Sequence, residues 1–230
     1  IGGAPENAAY AELHGLLVPS GDELPTADSF LKGVRPVRKR HGIPWLRDAI
    51  SRGQYSHPDG LYYGGSRIEQ STYSLQEIYL DETAESELVL TLDLHTGHGK
   101  YGTATLLSHD PVDSDGDRWL RRWLHQEDIE STTAPKVGQL AVGLQDYVPF
   151  DAEYHNATFE LGTVDETRMI LAERAEHWVH VHGDRDDPAH AAAVWEHRIC
   201  STPDDPEWER RAREHGRRVL DQALTAVAEH

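Results

Sequence analysis

The run Glu87-Leu88-Val89-Leu90-Thr91-Leu92-Asp93-Leu94-His95 stops abruptly at Thr96-Gly97, with Gly99 and Gly102 close behind. Five of its nine residues are apolar and turn formers bound it, so it reads as a buried strand that ends in a glycine-rich loop. Side chains alternate along a strand, which places Asp93 and His95 on one face. Open α/β sheets bind ligands beyond the carboxyl ends of their strands, and metal-bound histidines are commonly oriented by a carboxylate. A strand-end histidine with a carboxylate on the same face therefore suits a metal site. On the tripeptide alone, a core histidine satisfied by hydrogen bonds is the simpler account.

A second segment changes that balance. Ala157-Thr158-Phe159-Glu160-Leu161 is another short strand-like run, followed by Gly162-Thr163. A carboxylate in an apolar strand is costly unless something pairs with it. Glu160 is thus either a structural ion-pair partner or a working acid/base. A histidine that holds zinc and a glutamate that deprotonates water would form the core of a metallohydrolase.

Asp93-Leu94-His95-Thr96-Gly97 and Thr158-Phe159-Glu160-Leu161-Gly162-Thr163 together resemble the second half of the zinc carboxypeptidase superfamily, which includes succinylglutamate desuccinylase and aspartoacylase. A microbial branch of it is closer still, through Pro5-Glu6-Asn7-Ala8-Ala9-Tyr10-Ala11-Glu12-Leu13-His14 and Gly53-Gln54-Tyr55-Ser56-His57-Pro58-Asp59-Gly60-Leu61-Tyr62-Tyr63-Gly64-Gly65. The resemblance spans roughly residues 4–182. It implies His95 as the third zinc ligand, Glu160 as general base and Asp93 as the group that orients His95 or shapes the pocket. Tyr154 and Tyr147 become candidates for a phenol that contacts substrate. The implied activity is hydrolysis of an amide bond in a peptide or an N-acyl amino acid.

The earlier parts of the pattern, an H-x-x-E pair with two further zinc ligands and an N-R-N-like segment, are missing. His41-Gly42-Ile43-Pro44 has proline where glutamate belongs, and His125-Gln126-Glu127 places its acid one residue early. The chain begins at Ile1, where the family pattern would have finished its arginine segment. The expectation is a carboxyl-terminal portion of a longer protein, or the product of a damaged gene. Such a chain should be inactive by itself and prone to associate with itself or with its missing part. The competing reading is a non-catalytic remnant that serves as a binding or interaction module.

Forty acids against 22 lysines and arginines give a formal charge of −18, and lysine occurs only at positions 32, 39, 100 and 136. This charge argues against nucleic acid or anionic lipid as a partner. Together with few bulky apolar residues it resembles proteins of salt-loaded cytoplasms. The halophilic reading makes a prediction: thermal unfolding should shift upward between dilute buffer and molar potassium chloride, where the Debye length shrinks to about 3 Å. A flat or falling midpoint would refute it. No apolar run is long enough for a membrane span, and the single cysteine, Cys200, excludes an internal disulfide. A cytoplasmic location fits both.

The expected fold is α/β, a mixed sheet flanked by helices with the two motif strands central. Residues 1–183 should form the carboxypeptidase-like part and 184–230 a helical tail packed on it. Helices are expected over Ala8–Leu17, in parts of Asp28–Arg52, over Ser71–Tyr79 and over Arg118–Gln126. Three more should open at Asp165, Asp187-Pro188 and Asp205-Pro206. Further strands are expected at Thr103–Leu107 and Gln139–Leu144. The block 53–65 reads as a shaped loop whose tyrosines pack against the protein, and Asp110–Asp117 as a solvated acidic loop. His177, His180, His182, His190 and His197 read as surface residues.

Overall fold

The computed structural model describes residues 6–125, 128–132, 139–184 and 186–229. The elements in chain order are α1 (Ala8–Leu17), α2 (Ala27–His41), α3 (Ile43–Ser51), α4 (Gln70–Glu82), β1 (Leu88–Gly97) and β2 (Ala104–Pro111). After these come α5 (Asp115–Trp123), β3 (Asp128–Thr132), α6 (Leu140–Gly143), a 3-10 turn (Leu144–Tyr147), β4 (Glu153–Gly162), α7 (Glu166–His182), α8 (Pro188–Ser201) and α9 (Pro206–Ala228). The chain forms two compact units. One takes residues 1–68 and 165–201, the other 69–164 and 202–230.

The first unit is helical. Asn7 caps α1 by accepting from the Tyr10 amide, while its own amide group donates to the carbonyls of Ala49 (2.8 Å) and Gly53 (2.7 Å). Tyr10, Leu13 and Leu17 follow at helical spacing and are buried with Phe30, Val37 and Ala49. Gly42, at φ +85°, separates α2 from α3, a conformation that favours glycine. The loop 53–65 is shaped by one buried side chain. The Gln54 amide donates to the carbonyls of His57 and Leu61, and its oxygen accepts from the amides of Ser56 and His57. Tyr62 turns inward and donates to the Glu173 carboxylate, whose pKa burial raises.

Asp165 caps α7 by accepting from the amides of Thr167 and Arg168. Trp178, Val179 and Arg174 are buried. The Arg174 Nε donates to the Leu16 carbonyl at 2.6 Å and its guanidinium lies 4.7 Å from the centre of the Phe30 ring. Those two contacts offset part of the cost of burying the cation.

The second unit is α/β, with a four-stranded mixed sheet in the order β1-β4-β2-β3. β1 and β4 are parallel, β2 runs antiparallel to β4, and β2 and β3 are parallel. One sheet face is apolar. Leu106, Ala157 and Phe159 pack there with Leu120 and Leu124 around α5 and with Val219 and Ala223 of α9. β4 lies inside the sheet, but β1 is an edge strand among the described residues, so only one of the two motif strands is central.

The expected strand at Gln139–Leu144 is a helical turn, which buries Ala141 and Leu144 three residues apart. A short apolar run fits either period, and three-residue spacing decides it here. The acidic loop is also not wholly solvated. Ser114 caps α5 and Asp117 is fully buried. Burial alone would raise the Asp117 pKa, but hydrogen bonds from Ser131, Arg121 and the Asp113 amide outweigh that and lower it. The segment expected as a helical tail divides: α8 packs on α7 in the first unit, while α9 supplies Val219 and Ala223 to the sheet core. Among the described residues no helix is long and apolar enough to cross a membrane.

Candidate active site

In-register neighbours on adjacent strands sit about 4.8 Å apart and share a face. β1 and β4 align His95 with Glu160 and Asp93 with Thr158. β2 adds Thr105 opposite Glu160 on the other side. The face opposite the apolar core is therefore polar at this end, where the carboxyl ends of β1 and β4 meet.

His95 lies between two carboxylates. Its Nε2 is 3.0 Å from Asp93 Oδ2, and its Nδ1 is 3.5 Å from Glu160 Oε1. Two strands joined by a zinc ion and its water would hold His95 and Glu160 about 5–8 Å apart. They are closer because the strands are immediate neighbours in register. Glu160 is buried to 8 % exposure, and its other oxygen accepts from the His98 amide at 3.3 Å. The His95 side chain is 46 % exposed, so the cluster opens to solvent on the histidine side.

The loop after β1 closes the end of the sheet. The Gly102 amide donates to the Gly162 carbonyl and the Gly162 amide donates to the Thr103 carbonyl, both at 2.9 Å. A Cβ on Gly162 would lie 1.9 Å from the Lys100 carbonyl oxygen, so only glycine fits there. This close approach brings the His98 amide to Glu160. It also aims the His98 ring at Glu130, with Nε2 3.1 Å from both carboxylate oxygens.

His98 and Glu130 escaped the sequence reading. His98 carried a signal, since it stands three residues beyond His95 in the same loop. Glu130 carried none, because β3 is short and its pairing with β2 is not written in its own residues. Tyr154 and Tyr147 do not join the cluster. Tyr154 is opposite Val89, six residues before Glu160, or about 20 Å away at ~3.3 Å per residue. Its phenol donates to the Ala141 carbonyl, and burial pushes its pKa up to about 12. Tyr147 precedes β4 altogether.

A catalytic zinc site uses three protein ligands. Among the described residues, no group of three or more His, Cys, Asp or Glu side chains is arranged to hold a metal ion. Both ring nitrogens of His95 already face carboxylates. The donor set described here does not fit a complete zinc centre. Of the two near-matches to H-x-x-E, His41 is stacked on Trp45 at 4.1 Å and lies 3.2 Å from Glu12. In the other, Gln126 and Glu127 lie outside the described residues, as do Ile1 to Pro5.

A family model described as "Protein of unknown function (DUF2817)" matches residues 3–215. The chain belongs to that family. The match runs past residue 183, through α8 and into the first half of α9. No curated protein and no solved structure matches the chain.

Proposed function

We propose that this chain carries the acid–base side of an amide-hydrolase site of the zinc carboxypeptidase kind, acting on a peptide or an N-acyl amino acid. The observation that supports it is the meeting of His95 and Glu160 at the carboxyl ends of two adjacent parallel strands, with Asp93 on the far side of the imidazole. Glu160 would take a proton from the water that attacks the amide carbonyl. As the carbon–nitrogen bond breaks, it would pass that proton to the leaving nitrogen. The His98 amide and His95 would hold the carboxylate in place, and Asp93 would fix the ring.

Zinc, when bound, would supply Lewis acidity worth several kcal/mol of transition-state stabilisation. With His95 as the only donor the resemblance assigns in this chain, the 230 residues should hydrolyse nothing on their own. The test is an assay on N-acyl amino acids and peptides with zinc present. It compares this chain with a longer one preceded by a segment bearing the H-x-x-E pair. The longer chain should turn over substrate, and Glu160→Gln should lower its kcat by a hundredfold or more, within the ~100- to 10,000-fold of general-base catalysis. Turnover by the 230-residue chain alone, or indifference of the longer chain to Glu160→Gln, would overturn the assignment. A longer chain that binds these ligands without hydrolysing them would favour the binding-module reading.

A further inference from the structure

The first unit contains a cavity of about 230 Å³ between α1, α2, α3 and the first turns of α7. Its walls are apolar, among them Leu17, Phe30, Val34, Leu46 and Ile170. Helical spacing explains the lining. Phe30, Val34 and Arg38 fall at four-residue intervals on one stripe of α2, and Ile43, Leu46, Arg47 and Ile50 share one face of α3. Both stripes therefore combine apolar residues with a cation, Arg38 on α2 and Arg47 on α3.

The two cations differ. Arg47 is held by Glu166 through two contacts of 2.9 Å, which neutralise each other's charge. Arg38 is exposed and forms no ion pair among the described residues, although the chain has 40 acids to 22 lysines and arginines. Apolar walls with a few polar groups at one place are the usual make-up of a small-molecule site.

We propose that this cavity binds a small carboxylate with an apolar tail of about eight carbons, its head on Arg38 and its tail among Phe30, Val34 and Ile170. The size follows from the volume. A cavity of about 150 Å³ takes a benzene ring, so this one holds a ring and a few carbons more, or an eight-carbon chain. The charge follows from Arg38. The proposal rests on the first unit alone and is independent of the reading of His95 and Glu160.

Calorimetric titration of the full chain with butanoate, hexanoate, octanoate, 1-octanol and octylamine tests it. Octanoate should bind one to one, and each methylene removed should weaken binding about fourfold. Octanol and octylamine should bind at least about tenfold more weakly than octanoate, because neither offers Arg38 an anion. Arg38→Gln should cost octanoate about tenfold and leave octanol unchanged. Ile170→Phe, which fills the cavity, should block both. Arg38→Gln alters an exposed side chain and decides the matter if Ile170→Phe does not fold. Octanoate that fails to bind at millimolar concentration, binds no better than octanol or ignores Arg38→Gln would overturn the proposal. So would self-association lost in Ile170→Phe without octanoate binding, which would make this face a contact between copies.

Discussion

Gly162→Ala should destabilise the protein by about 3 kcal/mol or more and lower its Tm by roughly 6–12 °C. The added Cβ would meet the Lys100 carbonyl oxygen at 1.9 Å and the carbonyl carbon at 2.5 Å. Both are backbone atoms, so no side-chain rotation relieves the overlap. The loop must move away, and the bonds joining Gly162 to Gly102 and Thr103 weaken with it. The indole of Trp208 donates to the Gly162 carbonyl at 2.9 Å inside the protein, so α9 is also disturbed. The His98 amide would withdraw from Glu160 and its hydrogen exchange should accelerate. Thermal melts and amide exchange measure both effects. A change in stability below about 0.5 kcal/mol would show that the loop does not close on β4 in this way.

Phe159→Ala should cost about 3–5 kcal/mol in urea unfolding. Phe159 is 1 % exposed and lies opposite Leu106, which is fully buried on the neighbouring strand. Around them pack Leu120, Leu124 and Val219. Removing the ring leaves a cavity that this sheet-and-helix sandwich cannot close, because β4 is held on both sides by β1 and β2. A loss under about 1 kcal/mol would mean that the apolar face is not packed as described.

The parts of the fold legible in the sequence are those encoded locally. Asp165, Asp187-Pro188 and Asp205-Pro206 each mark the start of a helix, since a cap acts on amides two or three residues away. Tyr10, Leu13 and Leu17 identify the buried face of α1 for the same reason. What depends on distant chain was not legible. The burial of Arg174 depends on the Leu16 carbonyl and the Phe30 ring, which distant chain brings to it. Asp117 reads as solvated until Ser131 arrives from β3.

The candidate site shows the same division. Alternation put Asp93 and His95 on one face, and the cost of a buried carboxylate singled out Glu160. That β1 and β4 are neighbours in register follows from strand pairing, which no short window contains. Tyr154 shares the face of Glu160 by alternation, yet stands at the wrong end of the strand. Period fixes the face and leaves the distance open.

The proposed function makes His95, beside Glu160, the residue of this chain that would face the metal. Nitrogen-labelled histidine NMR during a zinc titration tests it most directly, because fifteen histidines compete for the ion and each reports separately. The His95 ring resonances should move first, and His95→Ala should abolish that earliest response while leaving the other histidines as they were. Early shifts at His177, His180 or His182 with the His95 resonances unmoved would contradict it.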